Sequence, residues 1–95
     1  MAKINEETKD IIDEIVAKLN MISQDMGTPR NIREMAQDSI KTIQAADDKG
    51  GENSPAVCAS SCISQLEDIT QDLNCPLHTR TAIYQILSLL EQIRD

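Results

Sequence analysis

The sequence predicts an all-α fold: four helices forming two antiparallel hairpins related by an internal repeat. Three observations predict it. Ile22-Ser23-Gln24-Asp25-Met26-Gly27-Thr28-Pro29 is echoed at an offset of 47 residues by Ile69-Thr70-Gln71-Asp72-Leu73-Asn74-Cys75-Pro76. Leu19 matches Leu66 upstream of the phrase, and Arg33 matches Arg80 downstream. Each copy lies between two segments of helical apolar periodicity, so each reads as the turn of a hairpin. No β-like alternation occurs in the chain.

The first helix is expected to start after Asn5, whose side chain suits the free amides of a first turn. Glu6 and Glu7 then sit at its positive end. Ile11, Ile12, Ile15, Val16, Leu19, Ile22 and Met26 fall within an arc of about 140° at 100° per residue, with Met21 outside it. Gly27 offers a left-handed cap position, Thr28 an N-cap oxygen, and Pro29 a pre-set φ to open the second helix. There Ile32, Met35, Ala36, Ser39, Ile40, Ile43 and Ala46 share a face.

Residues 47–54, with Gly50-Gly51 among charged neighbours, form the one convincing linker. Ser54-Pro55 repeats the cap-then-proline signal and opens the third helix. Its apolar face runs through Cys62, Ile63, Leu66, Ile69 and Leu73, flanked by Cys58 and Ala59, while Val57 points elsewhere. Asn74 takes the place of Gly27, and Cys75, a poorer cap, that of Thr28. Pro76 opens the fourth helix, where Ala82, Ile83, Ile86, Leu87, Leu89, Leu90 and Ile93 cover about 160°, a broad arc.

One domain over 1–95 is expected, with hairpins at about 5–47 and 55–94. The hairpins form either a four-helix bundle or two stacked repeats. The period and the Asp, Pro and Arg of the turn resemble hairpins of the HEAT and armadillo type. Two copies are fewer than a solenoid needs. The broad fourth-helix arc therefore suits either a central position or a self-association face, and a homodimer is the expected oligomer.

The formal charge is −7, and the one aromatic is Tyr84. Nucleic-acid binding lacks both the cations that neutralise phosphates and the rings that stack on bases. An anionic membrane surface is equally unfavourable, and no apolar run of bilayer-spanning length occurs. The N-terminal segment is polar and acidic where a signal peptide needs an apolar run. Three cysteines, an odd number, read as reduced thiols of a cytoplasmic protein.

Asp25 with Arg33, and Asp72 with Arg80, are the leading candidates because the chain states them twice. Each carboxylate can accept amides at the start of the next helix and pair with an Arg one turn into it. The functional alternative is an anion or carboxylate site at the hairpin tips. Tyr84 and Leu87 are candidates for an interface on the fourth helix. Catalytic residues, cofactors and metals receive no assignment. Cys58, Cys62, Cys75 and His78 are soft ligands, but 17 residues of helix place Cys58 and Cys75 roughly 25 Å apart. A Cys75–His78 nucleophilic pair lacks an evident orienting acid, and Glu6, Glu7, Asp10, Asp13 and Glu14 read as a solvated helix face.

At the paired turns, Arg30-Asn31-Ile32-Arg33 after Pro29 and Pro76-Leu77-His78-Thr79-Arg80-Thr81 after Cys75 resemble uncharacterised protein family 0147. The resemblance runs from about Ile11 to the C-terminus, and the Pro-Leu-His-Thr-Arg-Thr segment is its most specific part. It implies a small, acidic, all-helical archaeal protein and carries over no activity, cofactor or functional residue. The cysteines lie outside the family pattern.

The functional expectation is accordingly a small non-enzymatic helical scaffold or protein-interaction module that self-associates and binds an unidentified protein. The alternative is a ligand-binding or enzymatic domain with a polar site at the hairpin turns. Concavity separates the two: an enzyme needs converging polar groups in a pocket, and a scaffold an apolar patch around Ile83, Leu87, Leu90 or Tyr84.

Overall fold

A computed structural model describes residues 6–46 and 54–93. All regular structure among them is helical: α1 (Glu6–Ser23), α2 (Arg30–Gln44), α3 (Pro55–Thr70) and α4 (Leu77–Glu91). The Asn5 cap and most of the 47–54 linker lie outside the described residues.

The two turns meet at one end of the molecule, where the Thr28 and Thr79 hydroxyls lie 2.8 Å apart. Thus α1 and α3 run in one direction and α2 and α4 in the other. Each helix packs on two antiparallel neighbours, α1 on α2 and α4, and α3 on α2 and α4. Among the described residues neither α1 with α3 nor α2 with α4 approaches closely. A stacked pair of HEAT-like hairpins would set α1 beside α3, so the closed ring is a four-helix bundle.

The core collects one stripe from each helix: Ile15, Leu19 and Ile22; Ile32, Ala36 and Ile43; Cys62, Leu66 and Ile69; Ile83, Ile86 and Leu90, with Ile93 just beyond α4. Full burial of such an aliphatic side chain stabilises by about 1.5–3 kcal/mol. With no Phe or Trp to fill volume, the branched aliphatics set the spacing between helices. Two residues expected on these faces are absent from the core. Met26 is 83% exposed and Leu73 is 96% exposed, because α1 and α3 end before them.

Ser39 is fully buried on α2, and its hydroxyl donates to Gln65 Oε1 of α3 at 3.1 Å. The Cys62 thiol donates to the Ser39 carbonyl at 3.3 Å. Burial pushes the Cys62 thiol up to about 12, so it stays protonated and acts as a core residue. At the start of α3, Ser54 Oγ accepts from the Val57 amide at 3.3 Å, and Pro55 follows within the first turn.

The other helix starts differ from the expectation. Pro29 and Pro76 are themselves the N-caps, at φ −55°, ψ 149° and φ −59°, ψ 151°, with no side-chain cap. The Pro29 carbonyl accepts the Ile32 and Arg33 amides, and the Pro76 carbonyl accepts the Arg80 amide. Thr28 is therefore free for other partners. Gly27 does not adopt a left-handed φ either; its amide is taken by Asp25 Oδ1 at 2.9 Å.

Candidate functional site

The bundle end formed by the two turns holds most of the residues singled out from the sequence. Each Asp folds its carboxylate back over its own turn. Asp25 Oδ1 accepts the Gly27 amide, Oδ2 accepts the Thr28 hydroxyl at 2.9 Å, and the carbonyl accepts the Thr28 amide at 3.0 Å. In the second copy Asp72 Oδ1 accepts the Asn74 amide at 2.8 Å, and the Asp72 carbonyl accepts the Cys75 amide. A carboxylate two residues ahead of an amide closes the turn locally and consumes part of its acceptor capacity.

The remaining capacity is used across the hairpins, and the exchange is reciprocal. Asp25 Oδ2 lies 2.6 Å from His78 Nε2, and Asp72 Oδ2 accepts from Asn31 Nδ2 at 3.2 Å. Asn31 and His78 are themselves matched at the offset of 47, so each turn's Asp contacts the other turn's post-proline polar residue. His78 and, next, the Gly27 amide and Thr28 hydroxyl hold the Asp25 carboxyl below its ordinary range.

Between these pairs Thr28 and Thr79 share a buried hydrogen bond. The Thr28 hydroxyl already donates to Asp25, so Thr79 donates to Thr28. The matched positions are Cys75 and Ile32, both buried in the core. The polar pair across the hairpins thus has apolar residues at its repeat-related positions.

The expected carboxylate–guanidinium pairs, Asp25 with Arg33 and Asp72 with Arg80, are not formed. The carboxylates are occupied by turn amides and cross-hairpin donors. Arg80 reaches its turn through the backbone, Nη2 donating to the Asp72 carbonyl at 3.3 Å. Arg33 Nη1 instead meets the Met26 thioether at 3.5 Å. Both Nε atoms are buried and without a partner. Helical side chains lean toward the N-terminus, which carries both guanidinium groups back over the turns they follow.

Cys75 is buried, and its thiol lies 3.7 Å from the neighbouring Pro76 carbonyl. Burial raises its pKa, with Arg80 opposing, which disfavours the thiolate. His78 has found an acid in Asp25, but Cys75 directs its thiol elsewhere. Among the described residues no three His, Cys, Asp or Glu side chains are grouped closely enough to hold a metal ion.

Beside the first turn, Ser23, Arg30, Arg33, Glu34 and Gln37 line an open cavity of about 210 Å³. Arg30 Nε and Glu34 Oε1 pair there at 3.1 Å in the open. The matched positions of the other hairpin are Thr70, Leu77, Arg80, Thr81 and Tyr84. Only the arginine is retained, and two charged or amide side chains have become Leu77 and Tyr84. Leu77 is 76% exposed and Tyr84 54%. Leu73, in the preceding turn, is also exposed. Ile83 and Leu90, expected in an exposed patch, are instead buried in the core, and Leu87 is half-buried at its edge. The divergence between copies is legible in the sequence at the offset of 47.

Residues 1–93 match the uncharacterised protein family UPF0147. A UPF0147 protein of Pyrococcus furiosus is 40% identical over 94 residues, covering 99% of this chain and 92% of the relative. One from Sulfurisphaera tokodaii is 40% identical over 84 residues, covering 88% and 89%. The crystal structure of the unknown function protein MMP1188 superposes with a TM-score of 0.82 at 33% identity over all of both chains. That of a UPF0147 protein from Thermoplasma acidophilum gives 0.78 at 30% identity, covering 90% of this chain and 95% of the other. The chain, four helices closed by a duplicated turn, belongs to UPF0147, a family of small all-helical archaeal proteins.

Proposed function

We propose that this chain is a small, non-enzymatic protein-interaction module, acting as one unit in the cytoplasm and docking through the outer surface of α4 and its adjoining turn. The observation that carries this reading is the exposure of Leu73, Leu77 and Tyr84 on one hairpin. The counterparts of Leu77 and Tyr84 on the other hairpin are polar, Arg30 and Gln37, while that of Leu73 is the likewise exposed Met26. Large apolar side chains kept in water beside a well-filled core are costly unless something covers them, and exposed Tyr is a common interface anchor. The turn carboxylates favour this reading too, since they are engaged within the fold and do not converge on a pocket. Three buried cysteines, none of them in a disulfide, suit a reducing compartment.

The cavity beside Arg33 supports a ligand-binding alternative less well. It is open to solvent, and Glu34 and the negative end of α1 both oppose an anion there. A photoreactive amino acid at position 84 of the full chain, expressed in cells, is expected to give a discrete protein adduct. The same group at position 37 is expected to give none. Equal adducts from both positions, or none from either, would overturn the reading.

A further inference from the structure

We propose that the occupant of α4's outer face is a second copy of this chain, its own α4 packed antiparallel. The inference rests on the interaction-module reading and adds the partner and the register. At 100° per residue, Leu77, Arg80, Tyr84, Leu87 and Glu91 fall within an arc of about 80°. Their spacing of three and four residues is that of a helix-packing seam. The seam lies beside the core stripe Thr79, Ile83, Ile86 and Leu90 and is separate from it. Leu77, Tyr84 and Glu91 are exposed, with Arg80 and Leu87 half-buried at its edge.

Charge selects the partner. Besides the imidazole of His78, α4 carries one cation, Arg80, and one anion, Glu91, in a chain of net charge −7. By contrast α1 places Glu6, Glu7, Asp10, Asp13 and Glu14 against Lys9 and Lys18. Two such chains repel wherever acidic surfaces meet, and α4 is a face on which they can approach without net charge. Four of the five seam residues are also self-complementary in one orientation. With the two-fold axis between Gln85 and Ile86, Arg80 faces Glu91 of the second copy and Tyr84 faces its Leu87. Symmetry repeats both contacts. A parallel pairing would set Arg80 against Arg80 and Glu91 against Glu91, which excludes it on charge. Arg80 donates from Nη2 to the Asp72 carbonyl, and its Nη1 donors remain for a carboxylate.

Sedimentation of the full chain from 1 to 500 µM tests this directly. The expected result is a monomer–dimer equilibrium whose dissociation constant rises about tenfold in Glu91→Arg, where like charges then face each other at both ends. Tyr84→Ala should weaken the dimer comparably, and Gln37→Ala, the matched position on α2, should leave it unchanged. Circular dichroism confirms that each variant is folded. Adding Arg80→Glu to Glu91→Arg should restore the wild-type constant. If that double variant fails to fold, the Glu91→Arg and Gln37→Ala arms still decide. A wild-type chain that stays monomeric at 500 µM, or a Glu91→Arg dimer of unchanged affinity, overturns the proposal. Monomeric protein that still gives adducts from position 84 would remove the self-association alone and leave the interaction module standing.

Discussion

At the scale of single residues, the two turn carboxylates show how position decides what a side chain does. Asp25 and Asp72 looked like partners for Arg33 and Arg80, yet both turned to nearer donors, their own turns' amides and the opposite hairpin. An amide two residues away costs little chain entropy to reach, whereas holding a long guanidinium in one rotamer costs more. The lowered Asp25 pKa has a pH consequence. Its folded value lies below the ordinary 3.8 of the unfolded chain, so its stabilising contribution is fully present above that value. It is lost as pH falls through the folded value. Acid denaturation of Asp25→Asn should therefore lack this part of the wild-type pH dependence, while Asn31→Ala should retain it. A second prediction concerns Gly27. Its Cβ would meet Asp25 Oδ1 at 3.3 Å, but the backbone is not left-handed, and the matched Asn74 tolerates the same turn. Gly27→Asn should change unfolding free energy by no more than about 0.5 kcal/mol in urea titration, a loss far smaller than a forced left-handed position would give.

At the scale of elements, periodicity made the helices readable and their ends less so. The core residues of α1, α2 and α4 fell where the apolar stripes put them, because an aliphatic core can form only from such stripes. Met26 and Leu73 were misplaced because a helical projection continues past the residue where the backbone leaves the helix. Extended backbone at Pro29 and Pro76 moved both helix starts one residue on, and Thr28 exchanged a capping role for a buried bond to Thr79. The width of the α4 arc was legible, but its division was not. Ile83, Ile86 and Leu90 face inward, whereas Leu77 and Tyr84 face out on a second stripe. Only the neighbours of α4 in the ring determine where one stripe ends and the other begins.

At the scale of the whole molecule, the repeat is closed on itself. The choice between stacked hairpins and a bundle could not be made from a period of 47, since both arrangements use the same hairpins. It is made by contacts between residues 41 to 53 positions apart: Asn31 with Asp72, Thr28 with Thr79, and Asp25 with His78. These three contacts tie one turn to the other at a single end of the bundle. Asp25, Asp72 and Arg80 accordingly have partners other than those expected of them. Their types and positions are local information, and their partners depend on how the hairpins wrap. The duplicated turn thus locks hairpin to hairpin. A double-mutant cycle on Thr28→Val and Thr79→Val, followed by urea denaturation, tests it most directly. Thr28→Val alone leaves the Thr79 hydroxyl buried without an acceptor and should cost about 1–3 kcal/mol. The double variant, apolar at both positions like the matched Cys75 and Ile32, should recover about 1 kcal/mol of the summed single losses. Strictly additive losses would show that the two turns do not stabilise each other, and would contradict the account.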